Sequence, residues 1–510
     1  MSALERAIAN PEPVPGLDAE SPVAGLARRS VGGIEVLAQS VSAVAPAGAA
    51  LTIPAIIAAV TGSASLLPMI VAAGVTLLVA STITQFSRRM AAPGGVSAYI
   101  ARGLGSTAAL IGGVAQLVGY GFVAMFALAG TVYTTLSLAD FAAPGLVASG
   151  VEAPGLAASG VWAAALMVVF GALALWILVR GIRRSARVTL VAEVVSVGVI
   201  ALLTLALLAV LWATDAPMMA DRTFAVFDPS GIDGPELLVA TALAMTALVG
   251  FESASTLGGE AKRPLLAIPR AIVWTVFVSA GLYLLTGYAQ LTAGEAGDLR
   301  GGDGFFPVDG LTAGLGMPWL GAVLELSIAI SLFACLIASA TAMTRVLFAL
   351  SREGLLPRAL GRTRRRSGTP VAAVGLTVLV VTAVPTVSVL LGAQIWPTMQ
   401  WLLLGAATGY LVAYFLACIA APVFLWRIGE SGWRSTLVAA AGAIAVAVIL
   451  VAYLAVEWTG ARAVAAWVMV GVLGVTVLLA AWRTAFALRH PRIRGVYDVP
   501  TIADVWGGRR

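Results

Sequence analysis

Three stretches of this chain, residues 36–87, 103–139 and 367–426, contain no Asp, Glu, Lys or Arg at all. A spanning helix needs about 20 mostly apolar residues. The first and last stretches are therefore long enough for two passes each, and the middle one for a long single pass. A soluble domain carries roughly 25% charged residues, whereas this chain has 11% charged against 60% hydrophobic. That balance excludes a disordered chain, a nucleic-acid-binding arm and an ordinary soluble enzyme. The chain reads as an all-α integral membrane protein whose first partner is the lipid bilayer, with no nucleic-acid partner.

Reading between the charges gives twelve passes. Residues 36–87 divide near Thr61–Ser65. Residues 103–139, 153–179 and 188–213 supply the third to fifth passes, the last interrupted by Glu193. The sixth runs from about 237 to 258 and holds Glu252; the seventh is 271–294; the eighth, 318–344, holds Glu325. Residues 367–426 divide around Ala393–Trp396, and 435–456 and 463–482 complete the set. With a cytoplasmic N-terminus, all but three of the 31 basic residues fall on the cytoplasmic side. Only Arg222, Arg300 and Arg462 face outward, where Asp215, Asp221, Asp228, Asp233, Asp298, Asp303 and Asp309 collect. The positive-inside rule then places both termini in the cytoplasm of a plasma (inner) membrane.

The first 30 residues, with Pro11, Pro13 and Pro15 and no apolar core, read as a cytoplasmic tail and not as a cleavable signal. The longest polar connections, roughly 215–236, 295–317 and 345–368, are too short to fold as separate domains. The run from Arg362 to Arg366 reads as a topology determinant or as a contact for anionic lipid headgroups. Cys335 and Cys418 lie within apolar runs and read as packing residues, and the single histidine, His490, lies in the C-terminal tail. No metal or other cofactor is expected, and no nucleophile–base constellation points to an enzyme.

The informative features are the breaks. The first pass contains Pro46, Gly48 and Pro54, and each proline withholds a backbone donor from its helix. In lipid, the groups freed must be satisfied by protein, water or ligand; a simple proline kink is the bland alternative. The sixth pass reads Gly250-Phe251-Glu252-Ser253-Ala254-Ser255-Thr256, an ionisable residue near mid-membrane followed by three hydroxyls. A carboxyl at that depth is costly unless protonated, paired or hydrated, which makes it a functional candidate, although it can equally hold a bend. Passes one and six are five apart and run in opposite directions. Interrupted helices at matching positions of two inverted halves mark the binding site of a secondary transporter, and half-helix N-termini suit an anionic group such as an amino acid carboxylate. The organisation expected is a tail at 1–30, a first inverted repeat at 31–213, a second at 214–426, two additional helices at 427–488 and a tail at 489–510.

Gly250-Phe-Glu…Glu260-Ala-Lys-Arg-Pro264…Ile268-Pro-Arg-Ala-Ile272 resembles the GFE…E-x-K-x-P…IPRAI signature of bacterial amino acid permeases of the amino acid–polyamine–organocation superfamily. Arg345-Val-Leu-Phe-Ala-Leu-Ser-Arg352-Glu-Gly-Leu-Leu-Pro357, followed by Gly368-Thr-Pro370, resembles a second segment of that family. Ala92-Pro-Gly-Gly95-Val-Ser-Ala-Tyr99 with Gly103-Leu-Gly105 resembles a third. The resemblance implies a LeuT-like five-plus-five core with discontinuous helices 1 and 6 and a site between passes one, three, six, eight and ten. On that basis the substrate-binding candidates are Pro46, Ala47, Gly48, Ala49, Ala50, Thr246, Gly250, Phe251, Glu252, Ser253 and Tyr120. The family's first-pass hydroxyl is absent from Ala47-Gly48-Ala49, and Thr246 stands where some relatives have an aromatic gate, leaving Phe251, Tyr120 or Trp401 to close the site. No lysine occupies the fifth pass, where some relatives have one in place of sodium.

The resulting expectation is a secondary transporter of an amino acid, by proton symport or exchange, with Glu252 changing protonation as the gate moves. A polyamine, ethanolamine or other amine permease is the alternative, with Glu252 or Glu325 facing the cation; a transporter-like sensor or assembly partner is a third. Glu193 reads as a paired or interfacial group and also as a possible proton carrier. Glu325 reads as a snorkelling residue near the outer end of its pass, and Gln116 and Tyr120 as side-wall contacts or packing.

Overall fold

A backbone crossing hydrocarbon must satisfy its own peptide groups, and in an open chain only the helix does so within one segment. The structure, a computed structural model, obeys this rule. It describes residues 21–61, 66–142, 160–214, 223, 226–227, 234–293, 319–364, 367–459, 464–485 and 495–499. Among these, β-structure is confined to two isolated bridges, Val31 with Ala261 and Arg364 with Thr369. Residues 1–20, His490, Arg365, Arg366, Arg222, Arg300, Arg462 and the seven aspartates assigned to the outer connections lie outside the described residues.

The helices in chain order are α1 (Gly33–Val44), α2 (Pro46–Thr61), α3 (Leu66–Ser87), α4 (Val96–Leu104), α5 (Ser106–Ala142), α6 (Gly160–Val179) and α7 (Ile182–Thr214). After them come α8 (Gly234–Thr246), α9 (Pro264–Ala293), α10 (Trp319–Arg352), α11 (Val371–Leu390), α12 (Ile395–Arg427), α13 (Trp433–Thr459) and α14 (Val464–Ala485). By length and composition, ten described segments are able to cross a membrane, from Gly33–Pro54 to Trp433–Ala455. The expected sixth and twelfth passes appear among them only as shorter apolar stretches, Leu237–Thr246 and Val470–Leu479.

The centre of the bundle is α5, which packs most extensively on α10 and α12. The approach of α5 to α12 is close enough that a Cβ on Gly409 would lie 2.6 Å from the carbonyl oxygen of Ala115. Small residues at such seams are what lets membrane helices gain dispersion contacts where no hydrophobic driving force exists. Outward faces carry large apolar side chains, among them Trp162, Val194, Leu202, Leu379 and Trp433, as a lipid-facing surface requires.

The three motif segments meet at one end of the bundle. Glu260 receives both arms of the Arg345 guanidinium, Nε to Oε2 and Nη2 to Oε1 at 2.8 Å each. Val31 donates its N–H to the Glu260 carbonyl at 3.0 Å, and Lys262 donates back to Val31 at 2.9 Å. Ala92 packs beneath Gly258. The C-terminal stretch 495–499 lies across the same end. There the Asp498 carboxylate takes Arg28 Nε at 3.0 and 3.1 Å and Ser21 Oγ at 2.9 Å, and its N–H goes to Ala91 at 2.7 Å.

Candidate substrate site

The first pass leaves helical geometry at Ala45. This residue has φ 51° and ψ 58°, and its N–H turns back to the Ser42 carbonyl at 3.1 Å. A left-handed backbone in a residue with a Cβ costs about 1–2 kcal/mol and persists only where its surroundings impose it. Pro46 opens α2, a position where its missing donor costs nothing. The Ala49 N–H returns to Ala45 at 3.1 Å. The first-turn N–H groups of Ala47 and Gly48 precede any acceptor within α2. Further on, Pro54 supplies no N–H for the carbonyl of Ala50 four residues earlier. Thr286 Oγ1 at 2.8 Å and Gln290 Nε2 at 3.1 Å, both from α9, donate to that oxygen instead.

The sixth pass stops being α-helical after Thr246 and resumes as a short 3-10 segment at Ser253–Leu257. Gly250 has φ 96°, and a Cβ there would sit 2.8 Å from the Ala43 carbonyl oxygen. Only glycine permits both the conformation and the approach. Last-turn residues of α1 then satisfy the freed peptide groups. Ser40 Oγ donates to the Phe251 carbonyl at 2.6 Å and accepts the Ala254 N–H at 3.0 Å, while Ser253 Oγ donates to the Gln39 carbonyl at 3.1 Å.

Between the two breaks lies a cavity of about 60 Å³, room for a few water-sized groups. Val44, Ala45, Gly48 and Ala49 line it from the first pass, Thr246 and Val249 from the sixth. Val123 and Phe126 of α5, Leu332 and Cys335 of α10, and Trp396, Gln400 and Leu403 of α12 complete most of the wall. Among the described residues, no Asp, Glu, Lys, Arg or His lines it. Hydroxyl groups at the wall are committed locally, Thr52 to the Gly48 carbonyl at 3.0 Å and Thr246 to the Leu243 carbonyl at 2.6 Å. What remains is mostly apolar surface, with the Gln400 amide, beside a helix N-terminus.

Glu252 lies in an adjoining polar knot, outside the cavity wall. It is completely buried. Tyr120 of α5 donates to its Oε1 at 2.7 Å, and Tyr414 of α12 donates to its Oε2. The Tyr414 hydroxyl also accepts the Gly250 N–H at 3.2 Å, tying the carboxylate to the break. Phe251 packs on the Tyr414 ring, centroids 5.1 Å apart, and Tyr410 meets Tyr120 edge to face at 5.3 Å. Among the described residues no Arg or Lys pairs with Glu252.

The candidates read from the sequence therefore divide. Gly48, Ala49 and Thr246 line the cavity; Pro46, Ala47 and Ala50 belong to the same turns of α2 without lining it. Gly250, Phe251, Glu252, Ser253 and Tyr120 come together in the knot. Gln116 accepts the Ser97 N–H at 2.7 Å and so positions α4. Glu325 is a correction. It is buried and accepts a hydrogen bond from Ser137 of α5 at 2.7 Å, so its carboxylate is turned into the bundle instead of snorkelling outward. Glu193 takes the paired arm of its reading: it is 4% exposed and bonded to Ser331. The wall residues absent from the sequence reading sit at helical spacings, Val123 with Phe126, Leu332 with Cys335, and Trp396 with Gln400 and Leu403. That spacing was the available signal, but in helices apolar on every side it marks no face as special.

The family model described as amino acid permease matches residues 32–479. The chain is 25% identical over 198 residues to the branched-chain amino acid permease BcaP of Bacillus subtilis (strain 168), a match covering 39% of this chain and 40% of that protein. It is 24% identical over 388 residues to the methylthioribose transporter of the same organism, covering 72% and 77% respectively. Among solved structures, MhsT in complex with L-phenylalanine superposes with a TM-score of 0.54 at 16% identity, over 81% of this chain and 97% of that one. This last likeness establishes the fold. Apolar helices and family together mark the chain as a multi-pass membrane protein of a transporter type. Since the family model covers nearly the whole helical body, the chain belongs to the amino acid permease family.

Proposed function

We propose that this protein carries an amino acid with a small apolar side chain across the plasma membrane, by alternating access around the cavity between the first and sixth passes. The observation that carries this reading is the character of that cavity: mostly apolar walls with the Gln400 amide, no ionisable side chain among the described residues, and the first turn of α2 at its edge. In this reading the α-carboxylate docks on the N–H groups of Ala47 and Gly48, with the helix dipole behind them. The relation to a branched-chain amino acid permease supports an apolar side chain. A cationic amine would call for a carboxylate in the wall, and the absence of one favours the amino acid over the amine reading.

The architecture in this reading is twelve passes, with inverted repeats at 31–213 and 214–426, passes one and six discontinuous, and both termini cytoplasmic. Transport runs as proton symport or exchange, and Glu252 carries the proton. Its tyrosine partners come from α5 and α12, so loss of charge at Glu252 loosens the sixth pass from both.

The test is uptake of labelled amino acids into proteoliposomes, with and without an inward proton gradient, empty or preloaded with unlabelled substrate. Accumulation of alanine or valine driven by the gradient supports symport, and uptake only after preloading supports exchange. Transport of lysine or putrescine in preference to both would overturn the apolar reading.

A further inference from the structure

The transport reading leaves one motif residue without a role. Arg270 belongs to the Ile268-Pro-Arg-Ala-Ile272 segment of α9, yet it lines neither the cavity nor the knot around Glu252. It lines a second hollow instead, of about 530 Å³, where the end of α3 meets the first turns of α9. That volume falls within the roughly 300–1,000 Å³ of small-ligand sites. Arg88, the residue after α3, lines the hollow from the other helix.

Both arginines are exposed. Among the described residues neither guanidinium has an ion-pair or hydrogen-bond partner. The neighbouring carboxylates are already engaged. Glu430 pairs with Arg89, the residue next to Arg88, at 2.6 Å, and Glu260 takes Arg345. Positive charge from two helices thus converges on one hollow without a counter-charge. Pro269, also in the wall, supplies no N–H for the carbonyl of Leu265 four residues earlier. A lining residue therefore carries a peptide oxygen without its helical donor.

Beyond Arg270 the same face of α9 turns apolar. Trp274 and Phe277 follow four and seven residues on, at helical spacing. They are 59% and 53% exposed, with ring centroids 6.2 Å apart. From the helix end toward its middle the order is guanidinium, indole, phenyl. A phospholipid presents phosphate, interface and acyl chain in that same order, and tryptophan favours the interface level.

We propose that this hollow binds an anionic phospholipid with a hydroxylated headgroup, such as phosphatidylglycerol, from the cytoplasmic leaflet. Its phosphodiester bridges Arg88 and Arg270, a headgroup hydroxyl donates to the Leu265 carbonyl, and an acyl chain lies along Val273, Trp274 and Phe277. A lipid so placed clamps α3 to α9. The same α9 braces both breaks, through Thr286 and Gln290 on the Ala50 carbonyl and Tyr283 on the Ala247 carbonyl. The choice of leaflet rests on the topology proposed above. The binding itself needs neither substrate nor gradient, so its failure and a failure of the transport reading are separate results.

Native mass spectrometry reads occupancy directly on the full-length protein, stripped of lipid in detergent and offered equal amounts of phosphatidylglycerol and phosphatidylcholine with the same chains. Phosphatidylglycerol is expected to be retained at least fivefold more, and Arg88→Gln and Arg270→Gln are each expected to abolish that preference. Arg434→Gln removes the same charge from an exposed position outside the hollow and is expected to leave the preference unchanged. Raised salt is expected to narrow it. Equal retention of the two lipids overturns the proposal in favour of unselective annular lipid. A loss in Arg434→Gln as large as in Arg270→Gln overturns it in favour of net charge. Glycerol phosphate, the headgroup without its chains, is expected not to displace the lipid; displacement at equal concentration overturns the lipid in favour of a soluble phosphate ester. Should Arg270→Gln fail to fold, Arg88→Gln and Leu266→Glu carry the test, and a preference intact in both overturns the proposal.

Discussion

Glu252 and Glu260 stand eight residues apart in the same motif, and both are completely buried, yet their surroundings have opposite character. Glu260 faces a guanidinium that fills both of its oxygens in one plane, with Arg345 equally hidden from solvent. Glu252 faces two tyrosine hydroxyls and, among the described residues, no cation. A bidentate pair fixes charge and geometry together, so the Glu260–Arg345 contact locks the two longest motifs to one another. Hydroxyl donors fix geometry but leave the charge uncompensated. Burial alone therefore says little about a carboxylate's role; the partner decides whether it is a bolt or a switch.

The largest effect should come from breaking the bolt. Removing one member of a buried pair strands the other charge, a loss of about 3–5 kcal/mol. Glu260→Ala or Arg345→Ala is accordingly expected to cut the yield of folded protein and lower its melting temperature in detergent. The double replacement Glu260→Leu with Arg345→Met is expected to recover most of that stability. If Glu252→Gln proved as damaging as Glu260→Ala, the distinction between the two sites would collapse. Next in size is Gly250→Ala, where a left-handed backbone and a Cβ 2.8 Å from the Ala43 carbonyl coincide. Strain and repacking of about 2–3 kcal/mol are expected to force the two breaks apart, read as lost substrate exchange in a protein that still folds.

Much of this was legible in the chain itself. Charge-free runs placed the helices closely: the split near Thr61–Ser65 falls where α2 gives way to α3, and that around Ala393–Trp396 falls between α11 and α12. Pro46 and Gly250 announced the breaks, since their chemistry is local. The partners were not legible, because they come from helices far off in sequence. Nothing in Arg345 says that it crosses to Glu260, and nothing in Tyr414 says that it reaches Glu252. Within an all-round apolar helix no periodicity reveals which stripe faces the cavity. Glu193 could be read only as paired or interfacial for the same reason: its partner, Ser331, comes from α10.

Glu252 should respond more gently. Glu252→Gln keeps the shape and one acceptor, so it is expected to cost about 1–2 kcal/mol through weaker tyrosine hydrogen bonds. In the reading proposed above it also flattens the pH dependence of accumulation. Tyr414→Phe should cost a similar amount and additionally free the Gly250 N–H, so its exchange rate should fall further than that of Tyr120→Phe. Equal rates in the two phenylalanine variants would show that the link from Glu252 to the break runs elsewhere.

The smallest effect belongs to a charge pair outside the core, which sharpens the rule from the other side. Arg28 and Asp498 meet at 3.0 Å, with side chains 28% and 10% exposed. Water and salt already screen such a pair, and pairs of this kind contribute about 0.2–1 kcal/mol. Asp498→Asn is therefore expected to leave the melting temperature nearly untouched. Its consequence is local: the segment holding Ser21 and Arg28 against residues 495–499 opens more often, and cleavage by trypsin after Arg28 or Arg29 tracks that opening. A rise in cleavage rate of about 1.5- to 5-fold corresponds to that range of energies. Added salt should shrink the difference between wild type and variant, whereas no ionic strength should rescue Glu260→Ala. A salt-insensitive loss at Asp498 as large as that at Glu260 would mean that the terminal clasp, and not the Arg345 pair, holds this end of the bundle together.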